Sequence, residues 1–114
     1  MRHRNKRKLR GNMDRRRKEL RALAASVILH ERIQTTAARA KIAKSAVEKL
    51  ITRGKTPGVN TIRILRRDLP VNAVKKVMEV LSPRFSSRPG GYTRLIHVGK
   101  FKDGTSKVLL ELVK

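Results

Sequence analysis

Cysteine and tryptophan are both missing from this 114-residue chain. Without cysteine there is no disulfide framework, zinc knuckle, CxxC redox pair or thiol nucleophile. Aromatic residues are reduced to Phe85, Tyr92 and Phe101, and the three histidines, His3, His30 and His97, are widely scattered, which argues against a metal centre. Acids are scarce as well, with 8 Asp and Glu against 30 Lys and Arg. They form no close pair of the kind that acid–base or two-metal chemistry uses. The chain is therefore expected to be no enzyme, to carry no cofactor or metal, and to take no small-molecule substrate. The longest uncharged and mostly apolar run, Ala22 to Leu29, is far shorter than the roughly 20 residues that span a bilayer, so no membrane partner is expected.

What is abundant is positive charge. The formal net charge is +22, and a compact chain so charged repels itself unless a polyanion neutralises it. Nucleic acid is the usual polyanion, because bound cations release its condensed counterions. Arginine, 17 residues, outnumbers lysine, 13. That balance favours phosphate recognition, since the guanidinium fork binds phosphate bidentately and stacks on bases. Hydrophobic residues make up 39%, enough for one modest core in a chain of this length.

Residues 1–13 hold Arg2, Arg4, Lys6, Arg7, Lys8 and Arg10 and no acid, and read as a basic extended arm. Residues 14–114 read as a single nucleic-acid-binding α/β domain. A first helix is predicted from an Asp14 cap, with Leu20, Leu23, Ala24, Val27 and Ile28 on one face. Arg32 to Thr35 reads as a short strand with Ile33 and Thr35 on one side. Thr35 or Thr36 caps a second helix carrying Ala40, Ala43, Ala46, Val47, Leu50 and Ile51 inward and stopping at Gly54. A short third helix is predicted to bury Ile62 and Leu65. A fourth, opened by Pro70, buries Val71, Val74, Val77, Met78 and Leu81 and ends at Ser82-Pro83. Glu31, Glu48 and Glu79 are expected to balance nearby Arg and Lys on helices. Two strands follow. Tyr92 to Val98 places Tyr92, Arg94, Ile96 and Val98 on one face, and Lys107 to Val113 places Val108, Leu110 and Leu112 on one face. The expected fold class is α+β: a two-layer α/β domain of order α-β-α-α-α-β-β, with a small three-stranded mixed sheet packed against helices.

Two short matches to catalytic motifs fail on inspection. Gly54-Lys55-Thr56 ends like a phosphate-binding loop, but Lys49 stands where its first glycine belongs; His30-Glu31 opens like HExxH, but Gln34 replaces the second histidine. The informative stretch is Pro83-Arg84-Phe85-Ser86-Ser87-Arg88-Pro89-Gly90-Gly91-Tyr92-Thr93-Arg94. Arg84, Arg88 and Arg94 can grip several phosphates. Gly90 and Gly91 let backbone N–H groups approach one closely. Tyr92 has two readings, a platform for a splayed base or a core residue behind the turn.

These residues carry a resemblance. The block 83–94, the opening Met1-Arg2-His3 with basic residues through Leu9, Arg32-Ile33-Gln34-Thr35-Thr36 before Lys41, and the closing Leu109-Leu110-Glu111-Leu112-Val113 resemble the bacterial large-subunit ribosomal protein seventeen family along essentially the whole chain. Arg10 to Arg15 departs from the family's Arg-x-Ser-Ser-His-Arg-like run. The resemblance implies a structural constituent of the bacterial 50S subunit in the cytoplasm, or of an organellar ribosome. It also implies binding to large-subunit, 23S-type ribosomal RNA near the outlet of the peptide exit tunnel, beside ribosomal protein thirty-two. With the charge pattern it gives an RNA-binding set: Arg2, His3, Arg4, Lys6, Arg7, Lys8, Arg10, Arg15, Arg16, Lys41, Arg84, Arg88, Gly90, Gly91, Tyr92 and Arg94. Two other functions compete with it. A chromosomal DNA-binding protein would be expected to show a helix-turn-helix, and none is evident; a nucleic-acid enzyme would need more acids.

Overall fold

The computed structural model describes residues 12–113. The basic arm lies outside them except for its last two residues, and with it Arg2, His3, Arg4, Lys6, Arg7, Lys8 and Arg10. Helix α1 (Met13–His30) starts one residue before the expected Asp14, and its cap is Asn12, whose side-chain oxygen accepts the Arg15 N–H at 2.9 Å. Asp14 falls in the first turn, where its charge suits the positive helix end. Ala24, Val27 and Ile28 of the predicted stripe are buried. The helix ends at Glu31, a non-glycine residue at φ 63, whose N–H bonds to the Val27 carbonyl.

Strand β1 (Arg32–Thr36) runs directly into α2 (Ala37–Gly54), capped by the Thr36 hydroxyl. Helix α2 is the central element: Ala40, Ala43, Val47, Leu50, Ile51 and Gly54 are all buried. In α3 (Val59–Asp68) Leu65 is buried as expected, but the expectation for Ile62 fails. Ile62 is exposed and Thr61 takes the inward place, its hydroxyl donating to the Thr56 carbonyl at 2.6 Å. A threonine faces the core because this bond satisfies its hydroxyl.

Pro70 caps α4 (Val71–Lys76), which continues as a π-helical turn (Val77–Leu81) and a last α-turn (Ser82–Arg84). Ser82-Pro83 therefore does not end the helix. Pro83 has no N–H, and its ring crowds the carbonyl four residues back. The widened turn accommodates it, the Ser82 N–H bonding five residues back to Val77. Val71, expected inside, is exposed on the first turn, and Ala73 is buried in the core instead.

Strands β2 (Thr93–Lys100) and β3 (Ser106–Leu112) complete the sheet. The expected mixed sheet is corrected here: β3 lies between β1 and β2, and both ladders are antiparallel. β1 and β2 run the same way, but β3 separates them, so no parallel pair forms. The helices cover one face of the sheet, onto which Val108, Leu110 and Leu112 project into the core.

Gly54 marks where α2 meets the π-helical turn. A Cβ added there would collide with the Val77 side chain, which is buried, while the Gly54 carbonyl accepts the Ser82 hydroxyl at 3.1 Å. Gly54→Ala is therefore expected to destabilise the domain by about 1–3 kcal/mol, even though alanine is the better helix former. Adding Val77→Ala should recover part of that loss. Urea unfolding of the single and double variants checks this, and a stabilised Gly54→Ala protein would contradict the close approach.

Candidate nucleic-acid interface

The block 83–94 folds as a turn around two buried rings. Phe85 and Tyr92 are each 1% exposed, and their ring centroids lie 5.0 Å apart at a 47° tilt. Of the two readings of Tyr92, the core one holds: its ring is covered and offers no face to a base. The Thr52 hydroxyl donates to the Tyr92 hydroxyl at 3.4 Å, and the Lys55 ammonium sits 4.6 Å from its ring centroid. Lys55 first, then Thr52, hold this phenol below its ordinary pKa, against the opposing effect of burial. Lys55 also donates to the Arg88 carbonyl, so it ties α2 to the loop. Gly91 lies at φ +65, and open space surrounds the Cβ positions of Gly90 and Gly91. Arg88 is exposed, and its guanidinium donates to the Gly91 carbonyl at 3.4 Å.

Arg84 and Arg94 are placed differently. Arg84 bonds to the Glu31 carboxylate at 2.5 Å and is only 27% exposed, and Lys76 reaches the same carboxylate at 3.3 Å. Glu31 thus balances cations on helices, as expected, and they come from α4 and its final turn. Its left-handed backbone is further pinned by the Leu112 N–H, which donates to the Glu31 carbonyl at 2.9 Å. Arg94 bonds to Glu111 at 2.5 Å, and Arg32 approaches the other oxygen at 3.1 Å. The register explains this: Arg32, Glu111 and Arg94 are directly opposite one another across the three strands. Cross-strand neighbours of opposite charge attract, and like charges so placed repel. Glu48, expected to balance nearby Arg and Lys on helices, accepts the buried Thr93 hydroxyl at 3.1 Å and joins α2 to β2.

Both carboxylates titrate low. Arg94, and then Arg32, hold Glu111 below the ordinary glutamate value of 4.5, with desolvation opposing; Arg84, and then Lys76, do the same for Glu31. A carboxylate with a depressed folded pKa contributes stability above its unfolded pKa and loses it as pH falls through the folded one. Stability is therefore expected to decline below about pH 4.5. Glu111→Gln should flatten that acid decline, while at neutral pH it removes the negative charge and one of the two oxygens that Arg32 and Arg94 use. Denaturant midpoints from pH 7 to pH 3 check both effects. An acid decline as steep in Glu111→Gln as in the parent protein would contradict them.

The remaining expected RNA-facing residues are surface groups on helices. Arg15 is exposed and Arg16 half-buried at the start of α1, within a run of cations that ends at Lys18; Lys41 is exposed on α2. Cations at the positive end of a helix are disfavoured unless an outside anion offsets them. Sequence reading missed a second basic surface. A cavity of about 810 Å³ between the α2 N-terminus and the β2–β3 turn is lined by Arg39, Lys100, Lys102 and Lys107, with Phe101 on its wall. Lys107 sits 5.0 Å from the Phe101 ring centroid. Lys100, Phe101 and Lys102 are consecutive and the β2–β3 pairing sets Lys107 beside them, but only the pairing of β1 with β3 brings Arg39 to the same surface.

Among the described residues, no helix is long and apolar enough to cross a membrane and no group of three acids or histidines is arranged to hold a metal. The family model described as Ribosomal protein L17 matches residues 19–113. The chain is 43% identical over 119 residues to the large ribosomal subunit protein bL17 of Staphylococcus epidermidis, covering 94% of this chain and 98% of that protein. It is 47% identical over 96 residues to the protein of the same name from Bdellovibrio bacteriovorus, covering 82% of this chain and 53% of that longer protein. The counterpart in Thermodesulfovibrio yellowstonii is 45% identical over 96 residues, with 82% and 72% covered. With almost its whole described length accounted for, from the middle of α1 to the end of β3, the chain belongs to the ribosomal protein L17 family.

Proposed function

We propose that the chain binds large-subunit ribosomal RNA through its surplus cations and is held in the bacterial subunit by that binding. As a member of its family it is a structural constituent of the large ribosomal subunit and not an enzyme. One observation carries the RNA reading. Six cations, Arg21, Arg32, Arg39, Lys76, Arg84 and Arg94, already share Asp68, Glu111, Glu19 and Glu31. The rest of a net charge of +22 has few acids left to meet, and packed phosphates supply the missing partners.

On this reading Arg88, Arg15, Arg16 and Lys41 contact phosphates, and Gly90 and Gly91 let the backbone approach one. Arg84 and Arg94 keep spare N–H donors for RNA while bracing Glu31 and Glu111. Arg2, His3, Arg4, Lys6, Arg7, Lys8 and Arg10 supply the RNA-binding groups of the N-terminal arm. The proposed location is near the outlet of the peptide exit tunnel, next to ribosomal protein thirty-two, as the family resemblance suggests.

Filter binding of the full chain to large-subunit rRNA tests the RNA reading. Arg88→Gln should weaken binding several-fold without changing the circular-dichroism spectrum or the denaturant midpoint. Unchanged binding would remove Arg88 from the interface. Cross-linking within purified subunits tests the location, and a chain that never links to ribosomal protein thirty-two would refute that placement.

A further inference from the structure

A groove of about 620 Å³ runs between α1, α2 and α3, away from the 83–94 turn and its two rings. Its floor is aliphatic, made by Leu20 of α1, Ile42 and Ala46 of α2 and Ile64 of α3. Its rim is a row of exposed residues on α2, Lys41, Ser45, Lys49 and Arg53. They are spaced four residues apart, so successive members stand about 6 Å apart along the helix. Among the described residues Asp68 is the one carboxylate in the lining, and Arg21 engages it at 3.4 Å. The groove thus offers an apolar floor beside three cations on one helix edge, Lys41 about 12 Å from Lys49 and Lys49 about 6 Å from Arg53.

We infer that this groove binds a short unpaired stretch of RNA, its bases laid against the aliphatic floor and its phosphates along Lys41, Lys49 and Arg53. The inference rests on the proposed RNA binding and names the kind of RNA and the place. A duplex keeps its base faces stacked inside and would leave the floor unused, whereas an unpaired strand brings an apolar face and a negative charge with every nucleotide. An acidic protein segment would also bring negative charge. It would bring backbone and side-chain donors too, and apart from Asp68 and Ser45 the lining side chains have no acceptors to meet them. Phosphates only accept, which matches a rim of donors.

The experiment uses the full chain with two probes, a single-stranded 12-nucleotide RNA and intact large-subunit rRNA. Ala46→Phe fills the floor without changing charge. It should weaken binding of the oligonucleotide about tenfold and leave the salt slope unchanged, because every cation stays in place. Lys49→Gln with Arg53→Gln should weaken binding and also lower the salt slope by about 1.4, for two phosphates on a single strand. If Ala46→Phe loses the helical circular-dichroism signal, Ser45→Trp on the exposed rim replaces it and is held to the same expectation. In assembled subunits a photo-cross-linking residue at position 45 should join to an unpaired stretch of rRNA. A link to protein, or none, overturns the inference, as does a filled groove that binds the oligonucleotide like the parent. If filled variants bind both probes normally, only the groove assignment fails. A parent chain that does not bind intact rRNA defeats the underlying RNA reading as well.

Discussion

Phe85→Ala should cost the domain about 3–5 kcal/mol, the usual range for removing a buried aromatic side chain. The ring is 1% exposed and meets Tyr92 at 5.0 Å, so the tilted ring pair disappears along with the buried area. Folded domains are stable by only about 5–15 kcal/mol, so this single change should consume a large share. For a chain of this size the melting temperature should fall by roughly 10–20 °C. Tyr92→Phe is the control. It keeps the ring and removes the hydroxyl that accepts from Thr52, a change expected to cost about 1 kcal/mol. The pair carries the backbone from the last turn of α4 into β2, and so sets the position of Arg88 between them. Calorimetry on both variants checks this. A Phe85→Ala protein less than about 1 kcal/mol weaker than its parent would mean that the rings do not anchor the loop.

Binding to large-subunit rRNA should collapse as salt rises. A protein neutralising 6–10 phosphates is expected to lose about 10³–10⁵ in affinity between 50 and 200 mM salt. The exposed cations lie on separate surfaces: the start of α1, the outer face of α2, the loop at Arg88, and the β2–β3 turn with Lys100 and Lys102. No single surface should therefore account for the whole slope. Replacing Lys100 and Lys102 by Gln should lower it by a fraction, about 0.7–0.9 for each phosphate no longer neutralised, without unfolding the protein. A shallow salt response in the parent chain would mean that its charge is not spent on phosphates.

Much of this fold can be read from local pattern. The stripes of α1 and α2 and the alternation of β3 follow one period each, and the structure buries Val27, Ile28, Val47, Ile51, Val108 and Leu110 as that period requires. What escaped is set by packing between distant segments. Ile62 and Thr61 differ by one step around a short helix, and the inward threonine has its hydroxyl satisfied by the Thr56 carbonyl, a partner that the apolar pattern does not reveal. Ser82-Pro83 reads as a stop, because a proline's effect on its own helix depends on whether the preceding turn can widen. The mixed sheet fails because strand order is decided by where the helices return the chain, not by any strand's own sequence.

The candidate interface divides the same way. The block 83–94 stands out by composition, and its glycines and Arg88 lie on the surface of the turn. That Arg84 braces Glu31 and Arg94 braces Glu111 depends on register and on the final turn of α4, neither visible in one dimension. Tyr92 shows the limit most plainly. A tyrosine after two glycines suits a base platform or a buried ring equally well, and only the covered pocket beside Phe85 distinguishes them.

Sedimentation with cross-linking tests the central claim, that this is a large-subunit protein held by ribosomal RNA. Cell extract is resolved on a high-magnesium gradient, irradiated with ultraviolet light, and probed for the chain. The account predicts that the chain travels with the large-subunit peak and is covalently linked to the large ribosomal RNA. Recovery with chromosomal DNA, at the top of the gradient, or in the subunit peak with protein cross-links alone would contradict it.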